Sequence, residues 1–241
     1  MTKLPARPAS DNAILKKERS SKEELTAFLD KARHIKTSQD GKGRIVFALD
    51  ATMSRQPTWD LACNLQSEMF DAVSRDGSLS VQLVYYRGYD ECRASRFVPD
   101  GKTLKALMQK IDCRGGQTQI RKVLKHALEE HSRAPLSAVV FIGDAMEEHV
   151  DELCDYAGRL GIKGVPVFAF QEGRDHVAET ALREIARLSR GAWFRFDHAS
   201  AATLARLLSS IAIYATGGLK ALQSRNTESD RLLIGQMGKK N

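Results

Sequence analysis

The chain has 241 residues, of which 42% are hydrophobic and 28% are charged, and its formal net charge is +7. This composition is typical of a soluble globular protein with a substantial core, and no apolar run approaches the roughly 18 residues that a membrane span needs. The N-terminus lacks the apolar segment of a secretory signal, and the four cysteines lack the paired spacing of a zinc site. We therefore expect a cytoplasmic protein with free thiols.

The positive charge is concentrated at the two ends of the chain. Residues 1–43 carry ten Lys or Arg and six Asp or Glu, and residues 217–241 carry five and two. Residues 44–216 carry 22 of each, so the middle of the chain is electrically balanced. A core that binds nucleic acid normally has a basic face, and this balance argues against one. The ends are expected to be solvated and partly disordered.

The sequence predicts one domain with an extension at each end. Residues 1–43 form a polar N-terminal extension with one short predicted helix, Ser21 to Ala32, where Ser21 and Glu24 match a capping box. Residues 44–215 carry the regular pattern of strands and helices that is typical of a folded domain. Residues 216–241 are expected to form a basic C-terminal tail.

Short apolar runs alternate with amphipathic helices throughout the predicted domain. Continuous apolar runs are typical of strands that are buried on both faces of a sheet. The predicted strands are 45–49, 81–86, 138–142, 165–170 and 193–196. Residues 92–98 follow the second strand after a short turn, and their lower apolar content indicates an antiparallel edge strand.

The predicted helices have apolar residues at every third or fourth position. They span about 57–73, 103–111, 120–128, 146–160, 177–188 and 203–214. Glu147 and Glu148 are expected to favour the N-terminus of the fourth of these helices, where acidic side chains are stabilising. The alternation predicts an α/β fold: a doubly wound, mainly parallel six-stranded sheet with one antiparallel edge strand and helices on both faces.

Polar oxygens follow two of the predicted strands and one glycine turn. The first strand runs into the sequence LDATMS, which places Asp50, Thr52 and Ser54 at alternating positions. Asp144 ends another apolar strand, and Thr118 follows two glycines that allow close backbone approach. Ligands of doubly wound sheets bind at the carboxyl ends of the strands, where the strand order reverses. An all-oxygen set of this kind suits a hard cation such as Mg²⁺ or Mn²⁺.

These residues resemble those of a known family. DATMS is similar to the D-x-[ST]-x-S motif of the von Willebrand factor type A (vWA) domain, which forms a metal ion-dependent adhesion site (MIDAS). The GGQT and FIGDA segments match the family's second-loop threonine and the aspartate after its fourth strand, in the family's order. Thr52 stands where serine is commoner and Ala145 where glycine is commoner, but neither change removes an oxygen ligand. The resemblance covers roughly residues 44–215 and implies a vWA or Rossmann-like fold. It implies metal ligands at Asp50, Thr52, Ser54, Thr118 and Asp144.

The resemblance also implies a type of function. Domains of this family are usually binding modules, in which the metal bridges to an acidic residue of a partner protein. Intracellular bacterial members often work with chaperone-like ATPases, so such an ATPase is one candidate partner. We therefore expect a metal-dependent protein-interaction module and not an enzyme.

Two other functions remain open from the sequence. One is a Mg²⁺-dependent phosphohydrolase or phosphotransferase with Asp50 as nucleophile. Such enzymes commonly carry a second aspartate two residues later as general acid, and Thr52 occupies that place. The other is an RNA-associated protein that binds through its basic ends.

Overall fold

The computed structural model describes residues 43–52, 56–65, 67–72, 79–197 and 200–237. The predicted helix Ser21–Ala32 and the predicted ligand Ser54 lie outside these residues. The described residues form six strands and eight helices. The strands are β1 (Gly43–Asp50), β2 (Leu79–Arg87), β3 (Glu91–Val98), β4 (Ala138–Gly143), β5 (Val167–Glu172) and β6 (Ala192–Phe196). The helices are α1 (Gln56–Leu65), α2 (Ser67–Asp71), α3 (Gly101–Met108), α4 (Ile120–Arg133), α5 (Val150–Ile162), α6 (His176–Leu188), α7 (Ala201–Arg225) and α8 (Glu228–Met237).

The strands form one sheet in the order β3-β2-β1-β4-β5-β6. All neighbouring strands are parallel except β2 and β3, which are antiparallel. This confirms the predicted doubly wound sheet with one antiparallel edge strand. The chain winds outward from β1 to β2 and β3, and then crosses to β4 on the other side of β1. The strand order therefore reverses between β1 and β4, which leaves a crevice at their carboxyl ends.

The core lies on both faces of the sheet, which explains why β1 is apolar throughout. Ile45, Phe47 and Leu49 pack in a cluster with α1, α2, α3, α7 and α8. Val46 and Ala48 pack on the opposite face with α4, α5 and α6. All five side chains are at most 1% exposed. A strand buried on both faces gains from apolar residues at every position, because neither side meets water.

The end of the chain differs from the prediction. The last helix of the domain was predicted to span about 203–214, but helical structure continues to Arg225. Gly218 adopts the non-helical angles φ 67° and ψ −166°, so α7 consists of two helical segments joined by a kink at this residue. Helix α8 then packs back, with Leu233 fully buried in the core. Residues 216–237 therefore pack on the domain, and the predicted solvated tail is wrong for this part of the chain.

Helix α7 is also the longest helix of the described segments. It has 25 residues, and an 18-residue window of it has a mean hydropathy of 1.2, so by length and composition alone it could cross a membrane. In the structure it packs against β1 and β2 as a core helix. Its buried residues are Leu204, Ala205, Leu207, Leu208, Ser210, Ile211, Ala212, Ala215 and Leu222. Within the structure, 44% of that 18-residue window is buried.

Candidate metal centre

The first part of the candidate site is the end of β1. Asp50 is the last residue of this strand and is only 2% exposed. Its Oδ1 accepts a hydrogen bond from the backbone N of Thr52 at 2.8 Å, which closes a tight turn directly after the strand. The backbone N of Ala51 donates to the carbonyl oxygen of Tyr86 at 2.9 Å, which continues the pairing with β2. The turn therefore holds Asp50 and Thr52 at the carboxyl edge of the sheet.

The loop between α3 and α4 lies over the same edge. The backbone N of Arg114 donates to the carbonyl oxygen of Ala51, and that of Gln117 to the carbonyl oxygen of Gly88, both at 3.0 Å. Gly116 lies so close to Gly88 that a Cβ atom at residue 116 would be 2.1 Å from the Gly88 carbonyl oxygen. Only glycine allows this approach. The contacts fix the segment that carries the predicted threonine ligand.

The end of β4 supplies the third part of the site. Asp144 is half-buried and directly follows Gly143, the last residue of this strand. A Cβ atom on Gly143 would lie 3.8 Å from Cβ of Asp50, so the ends of β4 and β1 are close neighbours. The hydroxyl of Thr118 accepts a hydrogen bond from the backbone N of Glu147 at 3.0 Å. The loop after β4 is therefore bonded to the loop before α4.

The three segments enclose a cavity of about 190 Å³. It is lined by Asp50, Thr52, Gly115, Gly116, Thr118, Asp144, Ala145 and Glu147. Asp50, Thr52, Thr118 and Asp144 of the predicted ligand set thus share one cavity, and Ser54 lies outside the described residues. Within the described ranges, no three His, Cys, Asp or Glu side chains group as metal ligands. A cation in this cavity would therefore depend on hydroxyl oxygens as well as on carboxylates.

Comparison with known proteins identifies the architecture. At the sequence level, neither a family profile nor a curated protein matches this chain. Solved structures do match. An aerotolerance-related membrane protein from Bacteroides fragilis is 18% identical, with a TM-score of 0.55 over 70% of this chain and 98% of that chain. A von Willebrand factor type A structure from Catenulispora acidiphila is also 18% identical, with a TM-score of 0.59 over 73% of this chain and 43% of that chain.

A third structure has an occupied metal site. Proximal thread matrix protein 1 from the mussel byssus, solved with a zinc-occupied MIDAS motif, is 18% identical and has a TM-score of 0.58. The match covers 80% of this chain and 52% of that chain. This chain has the vWA fold. The chain spans only about half, or less, of the length of the mussel and Catenulispora proteins, and identities this low establish the fold alone.

Two acidic residues beside the site make contacts that the sequence did not indicate. Glu147 and Glu148 were expected to favour the start of their own helix, but their carboxylates bind the N-terminus of α4. Oε2 of Glu147 accepts from the backbone N of Thr118 at 3.2 Å. The two carboxylate oxygens of Glu148 accept from the backbone N atoms of Ile120 at 2.5 Å and Arg121 at 3.0 Å. Carboxylates at this position satisfy amides that have no partner within the helix.

A buried phenol lies beside the same carboxylates. Tyr86 is 0% exposed, and its ring stacks on Phe141 with 6.4 Å between the ring centroids. Burial raises the pKa of Tyr86 well above its ordinary value, and the negative charges of Asp50, Glu148 and Asp144 raise the pKa further. The hydroxyl is therefore protonated at neutral pH. A side-chain contact with Asp50 also raises this pKa, but the contact falls short of a hydrogen bond of normal length and angle.

The donors of the vWA site fit a hard divalent cation. The cavity offers carboxylate oxygens from two neighbouring strand ends and hydroxyl oxygens from two turns, and its lining includes no soft ligand. Oxygen donors of this kind are what Mg²⁺ and Mn²⁺ prefer. The carboxylates of Asp50, Asp144 and Glu147 line the same cavity and repel one another, and a bound cation would offset this repulsion.

Proposed function

We propose that this chain is a metal-dependent protein-interaction module. A divalent cation, Mg²⁺ or Mn²⁺, is held at the carboxyl edge of the sheet and bridges to an acidic residue of a partner protein. Asp50, Thr52, Thr118 and Asp144 are the proposed ligands among the described residues, with Ser54 as a further predicted ligand. When bound, the cation supplies a positive charge with an open coordination position for the partner's carboxylate.

One observation carries the proposal. Side chains that are far apart in sequence, Asp50, Thr118 and Asp144, line a single cavity at the switch point of the sheet. Three separate backbone segments have to converge to produce this arrangement. A carboxylate that only caps the end of a strand would not require the other two segments to lie beside it. The mussel protein with the same fold, whose MIDAS motif holds zinc, supports a divalent cation at this place.

The same cavity favours binding over catalysis. A phosphoryl-transfer enzyme with Asp50 as nucleophile needs a general acid close to it, and aspartate two residues later commonly has this role. Thr52 stands there, and its hydroxyl is a poor proton donor at neutral pH. We therefore propose that the module is not an enzyme.

The proposed setting is the cytoplasm. The four cysteines, Cys63, Cys92, Cys113 and Cys154, are all free thiols, which supports a reducing compartment. A chaperone-like ATPase is one partner class that the family resemblance suggests. The alternative function, an RNA-associated protein, would bind RNA through the basic residues at the two ends of the chain.

The first experiment measures whether metal stabilises the fold. Thermal unfolding is recorded for the wild type and for Asp50→Ala, first in EDTA and then in a titration with Mg²⁺ and Mn²⁺. Because ligand that binds only the native state raises its stability, a concentration at 100 times Kd should add about 2.7 kcal/mol to the wild type and nothing to the variant. Asp151→Ala, which removes an exposed carboxylate in the first turn of α5, is the matched control and should respond like the wild type.

The second experiment addresses the bridge to the partner. A protein captured by the wild type in Mg²⁺ should be lost in EDTA and should not be captured by Asp50→Ala. Substitution of one acidic residue of that protein should abolish the complex without changing its fold. A complex that persists in EDTA would contradict the bridging role, even if the metal site itself is real.

A further inference from the structure

We infer that Glu147 is a positioning residue of the metal site, which clamps the loop that carries Thr118 to the loop that carries Asp144. The inference rests on the proposed function, because it assigns a role at the same cavity. Glu147 is not one of the five residues that the vWA resemblance implies as ligands. It does line the cavity together with four of them.

The clamp consists of two reciprocal hydrogen bonds between two residues. The backbone N of Glu147 donates to Oγ1 of Thr118 at 3.0 Å, and the backbone N of Thr118 donates to Oε2 of Glu147 at 3.2 Å. The pattern is that of a capping box, in which a hydroxyl and a carboxylate each satisfy the other residue's amide. A capping box normally joins residues of one helix end. Here it joins the segment before α4 to the segment after β4.

The clamp contacts the hydroxyl of Thr118, which is one of the proposed metal ligands. Thr118 is only 6% exposed and lines the cavity, and its hydroxyl accepts the bond from the backbone N of Glu147. Metal sites need their ligands held to within about 0.5 Å, and groups that orient the ligands are commonly worth about tenfold or more in metal affinity. The backbone N of Glu147 thus holds the hydroxyl, and its side chain holds the backbone of Thr118 against the loop that carries Asp144.

Glu148, the next residue, has a different role. Glu148 accepts from the amides of Ile120 and Arg121, which belong to the first turn of α4, and it does not line the cavity. Glu148 therefore anchors the helix, and Glu147 anchors the ligand-bearing residue in front of the helix. The two adjacent side chains together tie one loop to the other.

The test measures the binding of Mn²⁺ by calorimetry, and thermal unfolding in EDTA, for five proteins. They are the wild type, Glu147→Ala, Glu147→Gln, Glu152→Ala and Asp50→Ala. The glutamine variant keeps an oxygen that can accept from the amide of Thr118, whereas the alanine variant does not. Glu152 is the matched control, because its side chain is 55% exposed and pairs with Arg121 at 3.3 Å, outside the cavity.

The positioning role predicts a specific pattern. Glu147→Ala should bind Mn²⁺ about tenfold more weakly than the wild type, and Glu147→Gln should recover the affinity to within about threefold. Glu152→Ala should match the wild type. The loss for Glu147→Ala should exceed what its unfolding temperature in EDTA accounts for, since a merely structural role would lower that temperature and leave the metal-induced rise unchanged.

The outcomes separate this inference from the proposed function. If Glu147→Ala binds Mn²⁺ like the wild type while Asp50→Ala does not bind, the metal site stands and the clamp is wrong. If Glu147→Gln is as weak as Glu147→Ala, the charge of Glu147 matters and its hydrogen bond does not, which also overturns the positioning role. If the wild type does not bind Mn²⁺ at all, the proposed function fails and the inference fails with it.

Discussion

Asp50 and Tyr86 are direct Cα partners in the parallel pairing of β1 and β2. This register places a fully buried phenol next to the carboxylate at which the site begins. The hydroxyl is held in its protonated form, and its one hydrogen-bonding contact among the described residues, with Asp50, falls short of normal length and angle. A buried polar group in this condition weakens the fold, since it has lost its bonds to water without full replacement.

Removal of this hydroxyl should therefore stabilise the metal-free protein. Tyr86→Phe keeps the ring and its stacking on Phe141, and we expect the free energy of unfolding to rise by about 1 kcal/mol in EDTA. Urea denaturation measures the change. Tyr85→Phe is the matched control on the same strand, because its hydroxyl donates to Oε1 of Glu91 at 3.5 Å. Its loss should cost about 0.5 kcal/mol.

The two tyrosines thus have opposite expected signs. A loss of more than about 1 kcal/mol in Tyr86→Phe would contradict the structure, because it would mean that the hydroxyl donates a full hydrogen bond in solution. Asp50 would be the natural acceptor of that bond.

The approach of two backbone segments at Gly116 leads to the second prediction. A Cβ atom there would lie 2.1 Å from the carbonyl oxygen of Gly88, so Gly116→Ala must push the loop away from the β2–β3 turn. We expect a loss of about 1–3 kcal/mol in the free energy of unfolding and weaker binding of Mn²⁺, because Thr118 lies in the displaced loop. Urea denaturation and metal titration measure the two effects.

The adjacent glycine supplies the control. A Cβ atom on Gly115 would meet nothing within 4 Å, so Gly115→Ala should change stability by no more than about 0.5 kcal/mol. Equal effects of the two substitutions would show that the close contact with Gly88 does not exist in solution.

The sheet and the position of the site could be predicted from local sequence. The run IVFAL is apolar at every position because β1 is buried on both faces, and its end at Asp50 follows directly from that pattern. Asp144 follows β4 for the same reason. Once two parallel strands are known to be neighbours, their carboxyl ends must meet at one edge, so the sequence order of the strands was enough to bring these two residues together.

The features that were missed depend on contacts between distant parts of the chain. The bonds from Glu147 and Glu148 to the start of α4 connect two loops, and no periodicity records which amide a carboxylate will reach. The acidic pair predicted a helix terminus, and it did bind one, but of a different helix. The second helical segment of α7, after the kink at Gly218, was also missed, because the burial of its Leu222 depends on contacts with distant parts of the chain.

The packing of α8 gives the third prediction, with two neighbouring leucines that differ in exposure. Leu233 is 0% exposed in the core, whereas Leu232 is 47% exposed. Leu233→Ala should lower the free energy of unfolding by about 2–4 kcal/mol, and Leu232→Ala by less than about 0.5 kcal/mol. Small and equal effects would mean that residues 228–237 are a solvated tail after all. Urea denaturation of both variants distinguishes the two cases.

The fourth prediction concerns the ion pair that holds α8 against α7. Asp230 is 0% exposed, and its carboxylate accepts from Nε of Arg225 at 2.9 Å and from Nη2 at 2.6 Å. The backbone N of Thr227 adds a bond at 2.9 Å. Burial by itself would raise the pKa of Asp230, but the hydrogen bonds from Arg225 and Thr227 outweigh it and hold the pKa well below its ordinary value.

The direction of this shift fixes the pH dependence. A carboxyl whose pKa is lower in the folded state stabilises the fold above its unfolded pKa of about 3.9, and this contribution is lost as the pH falls towards the folded pKa. Asp230→Asn should therefore cost about 2–3 kcal/mol at pH 7, somewhat less than for a fully buried pair because the side chain of Arg225 is 28% exposed. The difference from the wild type should shrink as the pH is lowered below 4.

An exposed ion pair tests whether this effect comes from burial. Asp155 pairs with Arg159 at 3.5 Å, and the two side chains are 65% and 55% exposed. Asp155→Asn should cost no more than about 0.5 kcal/mol, because solvent screens the pair. If Asp230→Asn costs equally little at pH 7, or if its effect does not change between pH 7 and pH 3, then Arg225 and Asp230 do not hold α8 in place. The apolar contacts of Leu233 would then have to do so alone.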